Sequence, residues 1–194
     1  GKSVNPVWKA TLEFDETHPI SNGVGKVEVL DEWYFNMKFS EKCSHVACAE
    51  FKKENLKKIS NNWNTEGYES EGKKVTLIWS IENDNGARGV GFTGGHYHKN
   101  WAYDNFRKTA LNAILWIAKV PVPATGAELL PVTEEILSAN TDDKSIVKLP
   151  TEKSLNFKPG KFETVAEKNQ RMVKQKAGKD KKVKKAKKDK KTKK

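Results

Sequence analysis

Cysteine is almost missing from this chain: its 194 residues hold two, Cys43 and Cys48, five apart in CSHVAC. That argues against a disulfide framework. A strand over the segment turns the two thiols to opposite faces, which argues against a local bridge as well. His45 lies between them, but the spacing fits no common zinc pattern and an extended backbone splays the three side chains. The cysteines read as small buried apolar groups. Long apolar runs are missing too. No stretch approaches the ~20 residues that a membrane-crossing helix requires, and Gly1 opens no charged-then-apolar leader. The compartment is left open between bacterial periplasm and cytoplasm. There is no internal repeat, and GFTGGH lacks the GxGxxG spacing of a dinucleotide fingerprint.

A basic excess is missing from the body of the chain, although the whole carries a formal charge of +11. The segment Lys174 to Lys194 holds 13 of the 36 basic and 2 of the 25 acidic residues, which leaves 23 of each sign over residues 1–173. The tail has almost nothing apolar to bury, so its sequence predicts disorder and a non-specific attraction to polyanions. No interleaved aromatic residues accompany the lysines, as dedicated nucleic-acid binding would require. Deleting Lys174 to Lys194 is therefore expected to change unfolding free energy by less than about 0.5 kcal/mol and to abolish any salt-steep polyanion binding. Loss of cooperative melting in the truncated protein would show instead that the tail docks on the body.

What the sequence does contain is alternation. Runs rich in β-branched and aromatic residues predict strands over Val7 to Phe14, Glu32 to Phe39, His45 to Phe51, Lys74 to Ile81 and Gly89 to Thr93. His18 to Gly23 reads as a loop, and Glu82 to Gly86 as a hairpin turn. The polar stretch Lys52 to Gly72 reads as an excursion. From about Tyr103 the period changes, and Phe106, Ala110, Ala113, Ile114 and Ile117 mark one face of a helix that Pro121 and Pro123 prevent from continuing. A short helix is predicted from Thr133 to about Ala139, then a linker over Asn140 to Gly160 and a weak polar helix near Thr164 to Lys176.

The chemistry concentrates in GVGFTGGHYHKNW, Gly89 to Trp101, at the mouth between a strand and that helix. On an extended backbone His96 and His98 point the same way and Tyr97 points back. Two imidazoles could act as acid and base near neutral pH or, with Asp31 or Glu32 alongside, form a two-histidine-one-carboxylate set; equally, they could only cap backbone groups. Asp31 and Glu32 diverge on a strand, and Glu32 is favoured to face the histidines because Glu32, Tyr34 and Asn36 share a polar face. Trp101 and Tyr34 suit the flat apolar face of a sugar and Asn100 its hydroxyls, while Trp101 equally suits a staple packed into the core.

Four motifs then agree in order and spacing: HPIS-x-G at His18 to Gly23, DEWYF at Asp31 to Phe35, RGVGFTGGHYHKNW at Arg88 to Trp101, and NFRKTALNAILWIAKVPVP from Asn105 to Pro123. Together they resemble the trehalose-utilisation (ThuA-like) family over roughly the first 125 residues. The resemblance implies an α/β fold of the flavodoxin-like, class I glutamine-amidotransferase-like three-layer type, and a role in disaccharide or keto-sugar catabolism. It also implies that residues 1–125 match the C-terminal half of the family's domain, residues 126–173 being an extension and linker and 174–194 the tail. A missing N-terminal segment or homo-oligomerisation is the corresponding expectation. The catalytic cysteine elbow of related amidotransferase-like enzymes has no counterpart in Cys43 or Cys48, so no nucleophile is carried over. Catalysis is expected of Glu32, His96, His98 and Asp31, and substrate binding of Tyr34, Asn100 and Trp101. No metal ligands are assigned, and no cofactor is identified.

Overall fold

The computed structural model describes residues 7–34, 37–52 and 72–142, together with Gln170, Val173 and Lys174. Two units are distinguished, Gly1–Gly160 and Lys161–Lys194. In the second, the three described residues are helical. The expected excursion, linker and basic tail lie wholly or mainly outside the described residues, as do Phe35 and Asn36.

The first unit mixes strand and helix. Its strands are β1 (Val7–Phe14), β2 (Val27–Glu32), β3 (Cys43–Glu50), β4 (Lys74–Glu82) and β5 (Arg88–Phe92), in the order β2-β1-β3-β4-β5. All four pairings are antiparallel. The described strands therefore do not include the parallel core that a flavodoxin-like fold implies. Short 3-10 turns span Pro19–Ser21 and His98–Ala102, and the helices are α1 (Asp104–Ile117) and α2 (Glu134–Ser138). Thr133 caps α2, its hydroxyl accepting from the Ile136 N–H at 3.2 Å.

β1 is a corner strand. It pairs with β2 from Val7 to Leu12 but with β3 only through Glu13 and Phe14, so the sheet curls there. Trp8 and Phe51 fill the inside of the bend, edge to face at 5.2 Å, both fully buried. Strand alternation puts Trp8, Ala10 and Leu12 inward with Val27, Val29 and Asp31, leaving Lys9, Thr11 and Glu13 outward. The strand expected over Glu32 to Phe39 is displaced: β2 ends at Glu32, because VEVLDE carries the alternating period despite its three acids.

On the outer face Glu28 accepts from Thr11 Oγ1 at 3.2 Å and pairs with Lys9 and, at 2.8 Å, with Lys26. Hydrogen bonds from Lys26 and then Lys9 bring its carboxyl down from 4.5 to about 2. The unfolded chain thus takes up this proton first. The stabilisation is complete above about pH 4.5 and is lost as pH falls toward 2. Since Lys26 is largely exposed and Lys9 and Glu28 are each partly so, Glu28→Gln is expected to cost only about 1 kcal/mol at neutral pH. Urea midpoints at pH 7 and at pH 3 check this, the difference between variant and parent shrinking in acid.

The helical face is rotated from the expected one. Phe106, Thr109, Asn112, Ala113 and Trp116 are buried, whereas Ile114 is 60% and Ile117 40% exposed. Hydrophobicity assigned the isoleucines inward; of the two polar residues in their place, Thr109 donates to the Asn105 carbonyl one turn back in the helix, at 2.8 Å, and Asn112 ties loops to it. Asn112 Nδ2 donates to the Ile20 and Asn22 carbonyls, both at 2.9 Å, and its Oδ1 accepts from the Ala127 N–H at 2.7 Å.

The CSHVAC segment also departs from expectation. The β3–β4 register shifts between His45, Ala47 and Cys48, which brings His45 and Cys48 to the same side. His45 Nδ1 lies 2.8 Å and Cys48 Sγ 3.7 Å from the one Thr76 hydroxyl. Both cysteines are free and half-buried.

Candidate functional site

The site is built on a carboxylate at a core position. Asp31, fully buried in β2, receives four donors: the N–H groups of Glu32 (2.8 Å) and His96 (3.1 Å) at Oδ1, and the Gly95 N–H (2.7 Å) and Asn100 Nδ2 (2.8 Å) at Oδ2. Asn100, 2% exposed, donates a second bond to the Leu30 carbonyl at 2.9 Å. These bonds fasten the GGHYHKN loop across the end of β2. A buried carboxylate that accepts from several N–H groups needs no cation beside it.

The loop takes its path from two glycines. At Gly94 an added Cβ would lie 2.6 Å from the Trp33 ring, and Gly95 has φ +102°, a conformation closed to ordinary side chains. Beneath them Trp33, Phe92, Trp101 and Phe106 form an aromatic base: Trp33 meets Phe92 at 6.2 Å and Phe106 at 6.3 Å, and Trp101 stacks on Phe92 at 6.5 Å. Arg107 closes the far side, donating to the Trp101 carbonyl and to Asp104 Oδ1, each at 2.7 Å.

Asp31 and Glu32 diverge, and both meet His96, one at its backbone and the other at its ring. Glu32 Oε2 lies 3.2 Å from His96 Nδ1, with the imidazole side chain 54% and the carboxylate 22% exposed. Next to a carboxylate, the neutral ring carries its proton on Nδ1 and leaves Nε2 bare toward solvent. Tyr97 lies edge-on to His96 at 5.0 Å. Burial raises its hydroxyl above the ordinary value, and the Glu32 and Asp31 carboxylates add to the shift.

His98 does not join this pair. The backbone bends at His96 and Tyr97 and enters the 3-10 turn at His98, so the alternation expected of an extended chain ends there. Its Nε2 lies 2.7 Å from the Leu137 carbonyl of α2; a carbonyl only accepts, so the imidazole donates and anchors that helix. The two-histidine-one-carboxylate set is not assembled. Among the described residues no group of three or more His, Cys, Asp or Glu is disposed to hold a metal ion. The amide nitrogen of Asn100 is taken up inside the fold, Trp101 packs half-buried in the aromatic base, and Tyr34 lies half-buried just past β2.

Sequence reasoning missed Arg107, Asn112 and the histidine of the HPIS loop. Asn112 carried a legible signal, a polar residue three positions after Thr109 and four before Trp116 on one face. A groove of about 440 Å³ between β2 and the start of α1, lined by Lys26, Glu28, Tyr103 and Asn105 among others, lies apart from the His96 loop residues. Compared with protein-family models, curated proteins and solved structures, the chain matches none.

Proposed function

We propose that this chain is a ThuA-like carbohydrate protein that binds or transforms a disaccharide or keto-sugar at the Glu32–His96 pair. The supporting observation is the 3.2 Å carboxylate–imidazole contact presented to solvent on a loop that Asp31 fixes from below. In this reading Nε2 of His96 takes a proton from, or returns one to, a sugar carbon or hydroxyl, and Glu32 steadies the imidazolium that forms. Tyr97 and Tyr34 offer the flanking aromatic surface. The same resemblance leads us to infer that the antiparallel strands and α1 flank the parallel sheet of a flavodoxin-like, class I amidotransferase-like three-layer domain, as antiparallel strands flank many mixed sheets.

A second reading, a sugar-binding module without catalysis, draws on the engagement of His98 and Asn100 within the fold. The test is a titration of the isotope-labelled protein with trehalose, other disaccharides and their keto derivatives, each with and without a divalent metal. Shifts centred on Glu32, His96 and Tyr97 with at least one saccharide are expected, and turnover of that saccharide separates the two readings. No response to any of them overturns both.

A further inference from the structure

A second histidine is built into the fold away from the Glu32–His96 pair. His18 caps the 3-10 turn Pro19–Ser21: its Nδ1 accepts from the Ile20 N–H at 3.2 Å, while its Nε2 lies 2.9 Å from Ser80 Oγ. An amide N–H can only donate, so Nδ1 is bare and the ring's single proton sits on Nε2, donated to a serine that is 2% exposed. This arrangement is the reverse of a nucleophilic serine–histidine pair, in which the imidazole must accept from the hydroxyl. The contact is a fastening.

What it fastens is polar throughout. Ile20, fully buried, offers its carbonyl to Asn112, as does Asn22, and Asn22 Nδ2 donates to the Val122 carbonyl at 3.1 Å. Within the loop the N–H groups of Ser21, Asn22 and Val24 donate to His18, Pro19 and Ser21 at 2.8, 3.1 and 3.1 Å. The only place for a second proton on His18 is Nδ1, where it would face the Ile20 N–H. We propose that His18 is an acid-released latch: its protonation ejects the ring from the Ile20 cap and frees the loop from Pro19 to Val24 from β4 and α1.

The surroundings make the charged ring costly. Trp116 of α1 lies 5.2 Å from the imidazole, and the Arg88 guanidinium of β5 sits over the same indole at 4.6 Å. Glu82 of β4 is 3.1 Å from Arg88, and among the described residues Asp15 of the loop favours the imidazolium. Burial lowers the His18 pKa below the ordinary 6.5, Asp15 opposing this and Arg88 adding to it. A histidine held neutral in this way leaves the unfolded chain with more protons, so the latch is closed above about pH 6.5 and gives way as pH falls below it.

Hydrogen exchange of residues 15–26, corrected for intrinsic rates, tests this from about pH 7.5 down to about pH 4.5. His18→Asn is the comparison, since its side-chain oxygen can still cap Ile20 and gains no proton in this range. Protection at Ser21, Asn22 and Val24 is expected to fall about tenfold or more in the parent on acidification and to stay within about threefold in the variant. Unchanged protection in the parent, or an equal fall in both, overturns the latch. Should the variant not fold, the nitrogen-15 spectrum of the parent's His18 decides: a bare Nδ1 and protonated Nε2 at neutral pH support the latch, and the opposite tautomer overturns it.

Discussion

Replacing Asp31 by alanine is expected to destabilise the fold by about 3–5 kcal/mol, the largest loss from any single polar side chain. Its four donors are all held within 3.1 Å at the dry end of β2, and of these only Asn100 Nδ2 keeps another acceptor, the Leu30 carbonyl, when the carboxylate goes. Asp31→Asn is the sharper experiment. Each carboxylate oxygen accepts two bonds, so whichever way an amide is turned, one pair of donors meets an NH2 group. We expect it to cost about 2–3 kcal/mol with little change in volume. Exchange at the Gly95 and His96 amides should rise with it. A variant that melts like the parent would show that the loop is held by the glycine turn and aromatic base alone.

Asn112→Ala should be the next most damaging change, at about 3 kcal/mol. The side chain lies fully buried in α1 and joins the loop of Ile20 and Asn22 to Ala127, far along the sequence from it. Asn112→Asp keeps the acceptor for Ala127 but loses both donations, and Asn112→Leu supplies apolar volume with none of the three. Both are expected to fall near the alanine value in urea unfolding. If Asn112→Leu were as stable as the parent, burial at this position and not hydrogen bonding would hold the loop.

The sequence made β1, β3, β4 and β5 legible through their β-branched and aromatic runs, and in VWKATLEF the inward Trp8, Ala10 and Leu12 are apolar on one phase. It hid β2, since one of its three buried residues is Asp31, and it turned α1 by placing Asn112 and Thr109 where apolar residues were sought. Asp31 and Asn112 are polar side chains satisfied by distant backbone, and no local pattern announces such partners. The same cause divides the site. The Glu32–His96 meeting follows from opposite faces of a strand, which a sequence displays. The departure of His98 toward Leu137 follows from a bend at His96 and Tyr97 and from a helix 39 residues onward, which it does not. CSHVAC was misread for a related reason: the β3–β4 pairing is irregular from His45 to Cys48, so strict alternation does not give which of its side chains are neighbours.

The role we propose for the Glu32–His96 pair is to hold a saccharide. The most direct measurement is calorimetric titration of the parent, Glu32→Gln and His96→Ala with the saccharide that binds the parent most tightly. Both side chains are partly exposed, so the variants should melt within a few degrees of the parent. At least about a tenfold weaker association is expected in each, roughly 1.4 kcal/mol, with the two losses not additive because the groups act as a pair. Undiminished binding by two stably folded variants would contradict that role.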